Sequence, residues 1–213
     1  MDPNCGNVIR HFGARSTSGM DNMYFSSDAA LPTGHGLFRV QAVRDESGIE
    51  HAIVFKGVIN DSEDLPVRVH SECLTGEVFG SQRCDCDQQL GAALDYFEEE
   101  GNGLLIYLRQ EGRGIGFFNK IEAYCLQDKG LDTIEANQEL GLSADSRCYQ
   151  LAVKILGELG VRSVQLLTNN PLKIEALRQG GIQITSRVPI QCVPNSHNSA
   201  YLQTKKLKMA HML

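Results

Sequence analysis

The chain has 213 residues, a formal net charge of −6 and an apolar fraction of 42%, the balance of an ordinary soluble globular protein. Its acidity argues against a nucleic-acid polymer as partner, because backbone phosphates select basic surfaces. No apolar run reaches membrane-spanning length and the polar N-terminus lacks a secretory apolar core, which predicts a cytoplasmic protein with no membrane partner.

Residues 1–28 are rich in Gly, Ser, Asn and Asp without apolar periodicity, and are expected to form a loosely ordered extension to a folded domain over 29–213. Apolar runs at 37–43 and 51–59 predict two strands around the turn-like Asp45-Glu46-Ser47-Gly48, and 67–69 predicts a third. Leu90, Ala93, Leu94 and Phe97 share one helical face, closed by Gly101. The run 103–109 predicts a buried strand, and 117–129 a helix ending at Gly130. A helix is expected over 146–159 and a strand over 161–167. Asn170 caps a helix whose first residue is Pro171 and whose end is Gly180. A strand at 182–188 and a short basic helix at 204–213 complete the pattern. The whole is read as α+β: an antiparallel N-terminal β part joined to an α/β part with a mixed sheet and flanking helices. Alternating strands and helices predict parallel pairing, with ligands at the carboxyl ends of the strands.

The seven cysteines stand at positions 5, 73, 84, 86, 125, 148 and 192. Without an export signal, metal binding or buried thiols are expected over a disulfide framework. Cys73, Cys84 and Cys86 form a C-x10-C-x-C set. Three thiolates leave one tetrahedral position for water, which zinc would bring towards hydroxide at neutral pH. His70 stands near enough in sequence to close that position instead, and three unliganded thiols are the plain alternative. The other four cysteines read as ordinary small side chains.

Strand 103–109 runs into Gln110-Glu111-Gly112-Arg113-Gly114-Ile115-Gly116 and then a helix. Alternating glycines let backbone N–H groups converge, and Arg113 supplies a fork for phosphate oxygens. It is no Walker A loop, and the same glycines serve equally to turn the chain. Thr168, Asn170 and Lys173 repeat the arrangement after strand 161–167, with a capped helix and a solvated lysine as the alternative. In the segment 143–147, Asp145 or Ser146 reads equally well as an N-cap. Arg68, Arg83, Arg109, Arg113, Arg147 and Lys173 all lie in or beside these motifs, although the chain is acidic. A basic pocket on an acidic body suits a small polyanion, and beside a metal-activated water it suits nucleotide hydrolysis.

The segments RVHSECLTGEVFGSQRCDC, YLRQEGRGIGFFNKIEAYCLQDKGLDTIEAN, ADSR and LLTNNPLKIEAL closely resemble the GTP cyclohydrolase II family of riboflavin biosynthesis, in register from about residue 31 onwards. The resemblance implies that 29–213 is the catalytic domain. It implies one zinc per chain on Cys73, Cys84 and Cys86, with magnesium accompanying the triphosphate. It places GTP contacts at Arg68, Val69, His70, Ser71, Glu72, Gln89, Glu111, Gly112, Arg113, Thr133, Thr168 and Lys173. It makes Asp145 the proton acceptor, Arg147 the nucleophile towards the α-phosphate and Tyr124 an active-site tyrosine. It also implies a homodimer that converts GTP to formate, diphosphate and a diaminopyrimidine ribosyl phosphate. A guanidinium stays protonated, so covalent attack and phosphate clamping by Arg147 both stay open. Asp87 replaces the family's usual glycine, Ser199 stands where an acidic residue is common, and the N-terminal extension is long. These departures touch no core catalytic position but suit a specialised paralogue that feeds a secondary pathway from the same intermediate. Two rival readings are a family member that stops at the formylated pyrimidine, against which Tyr124 stands, and a non-catalytic zinc protein that binds guanine nucleotide, against which Tyr124, Asp145 and Arg147 stand together.

Overall fold

The computed structural model describes residues 23–143 and 145–212. Among them the apolar runs become an eight-stranded mixed sheet. Its strands are β1 (Tyr24–Phe25), β2 (Ala29–Thr33), β3 (Gly36–Arg44), β4 (Glu50–Lys56), β5 (Leu65–Ser71), β6 (Gly103–Leu108), β7 (Ser163–Leu167) and β8 (Gln183–Val188). The order is β1-β3-β4-β6-β5-β7-β8, with β2 also pairing with β3. β1 to β4 pair antiparallel, β4 joins β6 antiparallel, and β6, β5, β7 and β8 are parallel. The α+β class expected from the sequence is what the chain adopts.

Asp45 shapes the β3–β4 turn by accepting the backbone N–H groups of Ser47 and Ile49, each at 2.9 Å. Of the extension expected over 1–28, residues 1–22 lie outside the described residues, while Tyr24 and Phe25 already pair with Arg44 and Val43.

The helices are α1 (Leu74–Glu77), α2 (Cys86–Glu100), α3 (Gly116–Gln127), α4 (Thr133–Glu139), α5 (Gln150–Glu158), α6 (Pro171–Gln179) and α7 (Ser199–Lys208). The two-residue period of a strand splits the core between the faces of the sheet. Val67, Val69 and Ile106 pack with Ile155, Leu156 and Leu177 of α5 and α6. Phe38, Leu105 and Leu167 pack with Ala93, Leu94 and Phe97 of α2. With both faces covered, the carboxyl ends of β5, β6 and β7 deliver three polar loops to one edge of the sheet. No described helix is long and apolar enough to cross a membrane.

Several elements depart from expectation: β1, β2 and α1 had no counterpart in the sequence reading. α5 begins at Gln150 rather than 146, and its N-cap is Tyr149, so neither Asp145 nor Ser146 caps it. α4 was unanticipated, although Asp132 and Glu135 form a reciprocal capping box at its start. α7 starts at Ser199, ahead of the basic run.

Candidate active site

β5 ends at Ser71 and the chain turns so that Cys73 precedes α1, while Cys84 and Cys86 bracket the start of α2. Their three sulfurs lie within 4.8 Å of one another, with Cys73 and Cys84 at 3.6 Å. Among the described residues this is the one group of such side chains able to hold a metal ion. Three soft sulfur donors suit zinc. The surroundings fit that use. A Cβ on Gly76 would stand 2.9 Å from the Cys84 sulfur and 3.3 Å from that of Cys73, so only glycine leaves the sulfurs their room. Lys120, buried on α3, donates to the Cys73 sulfur at 3.2 Å and to Glu111 at 2.8 Å, setting a cation against the thiolate charge. The S–H groups of Cys84 and Cys86 hold the Cys73 thiol pKa far below its ordinary value, assisted by Lys120.

His70 does not join this group. Its Nε2 meets Glu77 Oε1 at 2.7 Å and its ring stacks on Tyr107, whose hydroxyl donates to the other Glu77 oxygen at 2.5 Å. Burial brings the imidazole pKa down to about 4, against the opposing pull of Glu77. His70 and Tyr107 therefore anchor α1, and with it Cys73, onto β5 and β6.

Tyr124, one helical turn beyond Lys120, faces the same space. Its hydroxyl lies 3.3 Å from Thr75 Oγ1, and the Arg83 guanidinium sits 4.8 Å from its ring centroid. Burial raises its phenol pKa. Glu72, Thr133 and Asn137 line this metal half of the cavity with the cysteines and Tyr124.

The Glu111–Gly114 turn bends through left-handed backbone at Gly112 (φ 63) and at the non-glycine Arg113 (φ 61). That strain costs about 1–3 kcal/mol and persists only where neighbours hold it. The hold comes from the Asp145 segment: Ser146 N–H donates to Arg113 O at 2.9 Å, and a Cβ on Gly114 would strike Ser146 O at 2.8 Å. Asp145 in turn grips Arg147 in a fork, Nε to Oδ1 at 2.9 Å and Nη2 to Oδ2 at 2.5 Å. Burial opposes both charges, yet the pairing outweighs it, lowering the Asp145 pKa and raising that of Arg147.

Ser71, Cys86, Arg113, Arg147 and Tyr201 also line a second, basic half of the cavity. Here Arg68 donates to Leu167 O at 3.0 Å and to Gln89 Oε1 at 2.5 Å. Lys173 Nζ donates to Val69 O at 2.7 Å. Burial, reinforced by Arg68, Arg147 and Lys205, drives the Lys173 pKa well below that of an ordinary lysine. Thr168 is buried beside them.

The sequence-predicted residues thus converge, with three qualifications. Asp145 lines neither half and stands behind Arg147. Val69 buries its side chain in the core and presents only its carbonyl. Arg109 turns outward to Glu72 at 3.6 Å with 57% of its side chain exposed, away from both halves. Sequence reading missed Lys120, Asn137, Tyr201, Lys205 and His211. Lys120 had a local signal, one helical turn before Tyr124, and Tyr201 with Lys205 keeps a tyrosine-lysine spacing of the family pattern.

The sequence model of the family described as GTP cyclohydrolase II matches residues 25–189, more than half of the chain. This chain belongs to the GTP cyclohydrolase II family. It is 48% identical over 188 residues to GTP cyclohydrolase-2 of Picrophilus torridus, covering 88% of this chain and 98% of that protein. It is 47% identical over 190 residues to GTP cyclohydrolase-2 of Shewanella baltica, covering 89% and 93%. It is also 54% identical over 188 residues to riboflavin biosynthesis protein RibBA of Bacillus velezensis, where it covers 87% of this chain but only 47% of that longer protein.

Proposed function

We propose that the chain hydrolyses GTP to 2,5-diamino-6-(ribosylamino)pyrimidin-4-one 5'-phosphate, formate and diphosphate. The observation that carries this reading is a pair of adjoining pockets that share Ser71, Cys86, Arg113, Arg147 and Tyr201, one holding the thiolate triad and Tyr124 and the other a cluster of basic side chains. Family membership supplies the guanine nucleotide as substrate.

Cys73, Cys84 and Cys86 would hold one zinc ion, which when bound supplies a Lewis acid that brings a water's pKa towards neutrality. The chain's own residues do the rest. Arg68, Arg113, Thr168 and Lys173 bind the triphosphate, which arrives with its magnesium, and the polyanion offsets the mutual repulsion of the buried cations. The family resemblance assigns further GTP contacts to Glu72 and Thr133, which line the metal pocket, and to Gln89, which lines the basic one. Tyr124 orients the formyl-bearing intermediate and donates a proton to its departing amine through the phenol that faces Thr75. Arg147 stays protonated in the Asp145 fork, and so clamps the leaving diphosphate rather than attacking phosphorus. The homodimer and the cytoplasmic residence follow from the family resemblance, and sedimentation velocity checks the former.

A formate assay tests the reading. Zinc-loaded protein should release formate and diphosphate from GTP, and zinc-stripped protein neither. Formate release that survives complete metal removal would overturn the role of the thiolate triad.

A further inference from the structure

The match to the family's sequence model ends at residue 189, and the chain beyond it returns to the cavity. Tyr201 on α7 lines both halves, and Lys205, Met209 and His211 line the basic half. This segment is tied down at several points. Lys205 Nζ meets Asp85 Oδ1 at 2.7 Å, with both side chains buried, and Asp85 stands between Cys84 and Cys86. Asp85 also accepts Gln89 Nε2 at 2.5 Å, and Gln89 Oε1 accepts Arg68, so α7 is linked to the floor of the basic half. The Lys205 ammonium lies 4.4 Å from the Tyr201 ring centroid, and the Arg113 guanidinium 5.7 Å from it. Beyond α7, His211 N–H donates to Lys205 O at 3.1 Å and Met212 N–H to Asn169 O at 2.9 Å, fastening the tail to the loop after β7.

The basic half is lined by five basic side chains (Arg68, Arg113, Arg147, Lys173 and Lys205) and by no carboxylate, Asp145 and Asp85 pairing Arg147 and Lys205 from outside that lining. The face turned to the pocket is therefore basic throughout, which favours an anion there. One of those five side chains, together with His211, comes from the C-terminal segment. We propose that α7 and the tail after it are the closing wall of the polyphosphate pocket, Lys205 and His211 binding the phosphates and Tyr201 separating them from the base. This rests on the GTP reading above and adds residues to it. In the free chain burial and the neighbouring Lys205, Arg147, Lys173 and Arg113 bring the His211 pKa down to about 3.

The test is calorimetric binding of inorganic triphosphate and, separately, of guanosine to the full zinc-loaded chain. The variants are His211→Ala, the charge-balanced pair Lys205→Gln with Asp85→Asn, and Lys173→Met on the pocket floor. Loss of a charge-assisted contact should weaken triphosphate binding about tenfold in the pair, and loss of the imidazole contact about fivefold in His211→Ala. Guanosine affinity and zinc content should not change. If the pair loses zinc, His211→Ala alone decides. Wild-type triphosphate affinity in the C-terminal variants, with Lys173→Met weakened, overturns this proposal and leaves the GTP reading standing. Equal loss of triphosphate and guanosine assigns α7 a purely structural role and also overturns it. A wild-type chain that binds no triphosphate overturns both.

Discussion

Lys120 holds its ammonium 3.2 Å from the Cys73 sulfur and 2.8 Å from a Glu111 oxygen, joining the metal loop to the strained turn after β6. Glu111 completes the junction by accepting Leu74 N–H at 2.6 Å. Lys120→Met leaves the buried Glu111 carboxylate without its cation and should destabilise the fold by about 3 kcal/mol. Adding Glu111→Gln should recover most of the loss. Denaturant titration measures both, and a Lys120→Met protein as stable as wild type would remove the pair from the account.

Gly76→Ala probes the same loop by volume alone. The added methyl would sit 2.9 Å from the Cys84 sulfur, closer than real contacts allow. The sulfurs must then spread, so zinc affinity should fall by at least about tenfold, since ligand distances tolerate only ~0.2 Å. Competition with a chromophoric chelator reads this directly, and unchanged affinity would show that the thiolate triad is not confined by α1.

The stability of the protein should fall as pH drops from 6.5 towards 4. His70 titrates near 6.5 when unfolded but at about 4 when folded, because burial disfavours the imidazolium. Its contribution is complete above 6.5 and is lost on acidification, since only the unfolded chain takes up the proton in that window. The difference is worth at most about 3 kcal/mol. His211, also lowered by burial and by nearby cations, adds to the same trend. His70→Gln keeps a donor for Glu77 and should flatten the dependence, which thermal unfolding across that range would show.

Much of this was legible in the sequence because it is local. Period-two runs marked the core strands, and the Asn170-Pro171 start of α6 carries its own cap, Asn170 Oδ1 accepting Leu172 N–H at 2.9 Å. The α5 boundary was not legible. Residues 145–149 stay out of the helix because Ser146 serves the backbone of Arg113, a tertiary bond more than thirty residues away in sequence. β2 was missed because Pro32 breaks its pattern, which an edge strand tolerates. The thiolate triad lay within one short segment and could be read there. Lys205 could not, because only the fold brings it across 120 positions to Asp85.

Arg147 should form no covalent adduct. Two sides of its guanidinium are held by Asp145, and its pKa is raised. Rapid-quench intact-mass spectra during turnover should show only unmodified chain. A nucleotidyl adduct that disappears in Arg147→Lys would make it the nucleophile. In that variant, diphosphate release should slow by about 100-fold, the scale of losing a forked phosphate contact.

The fate of one carbon tests the central claim. GTP labelled with 13C at position 8 can be followed by NMR in the presence of the zinc-loaded chain. Ring opening carried to completion puts the label in free formate, in step with diphosphate release. Replacing Tyr124 with phenylalanine should instead hold the label in a formamide while diphosphate still departs. Label that remains in the purine, or in a formamide made by the wild-type chain, would contradict the account.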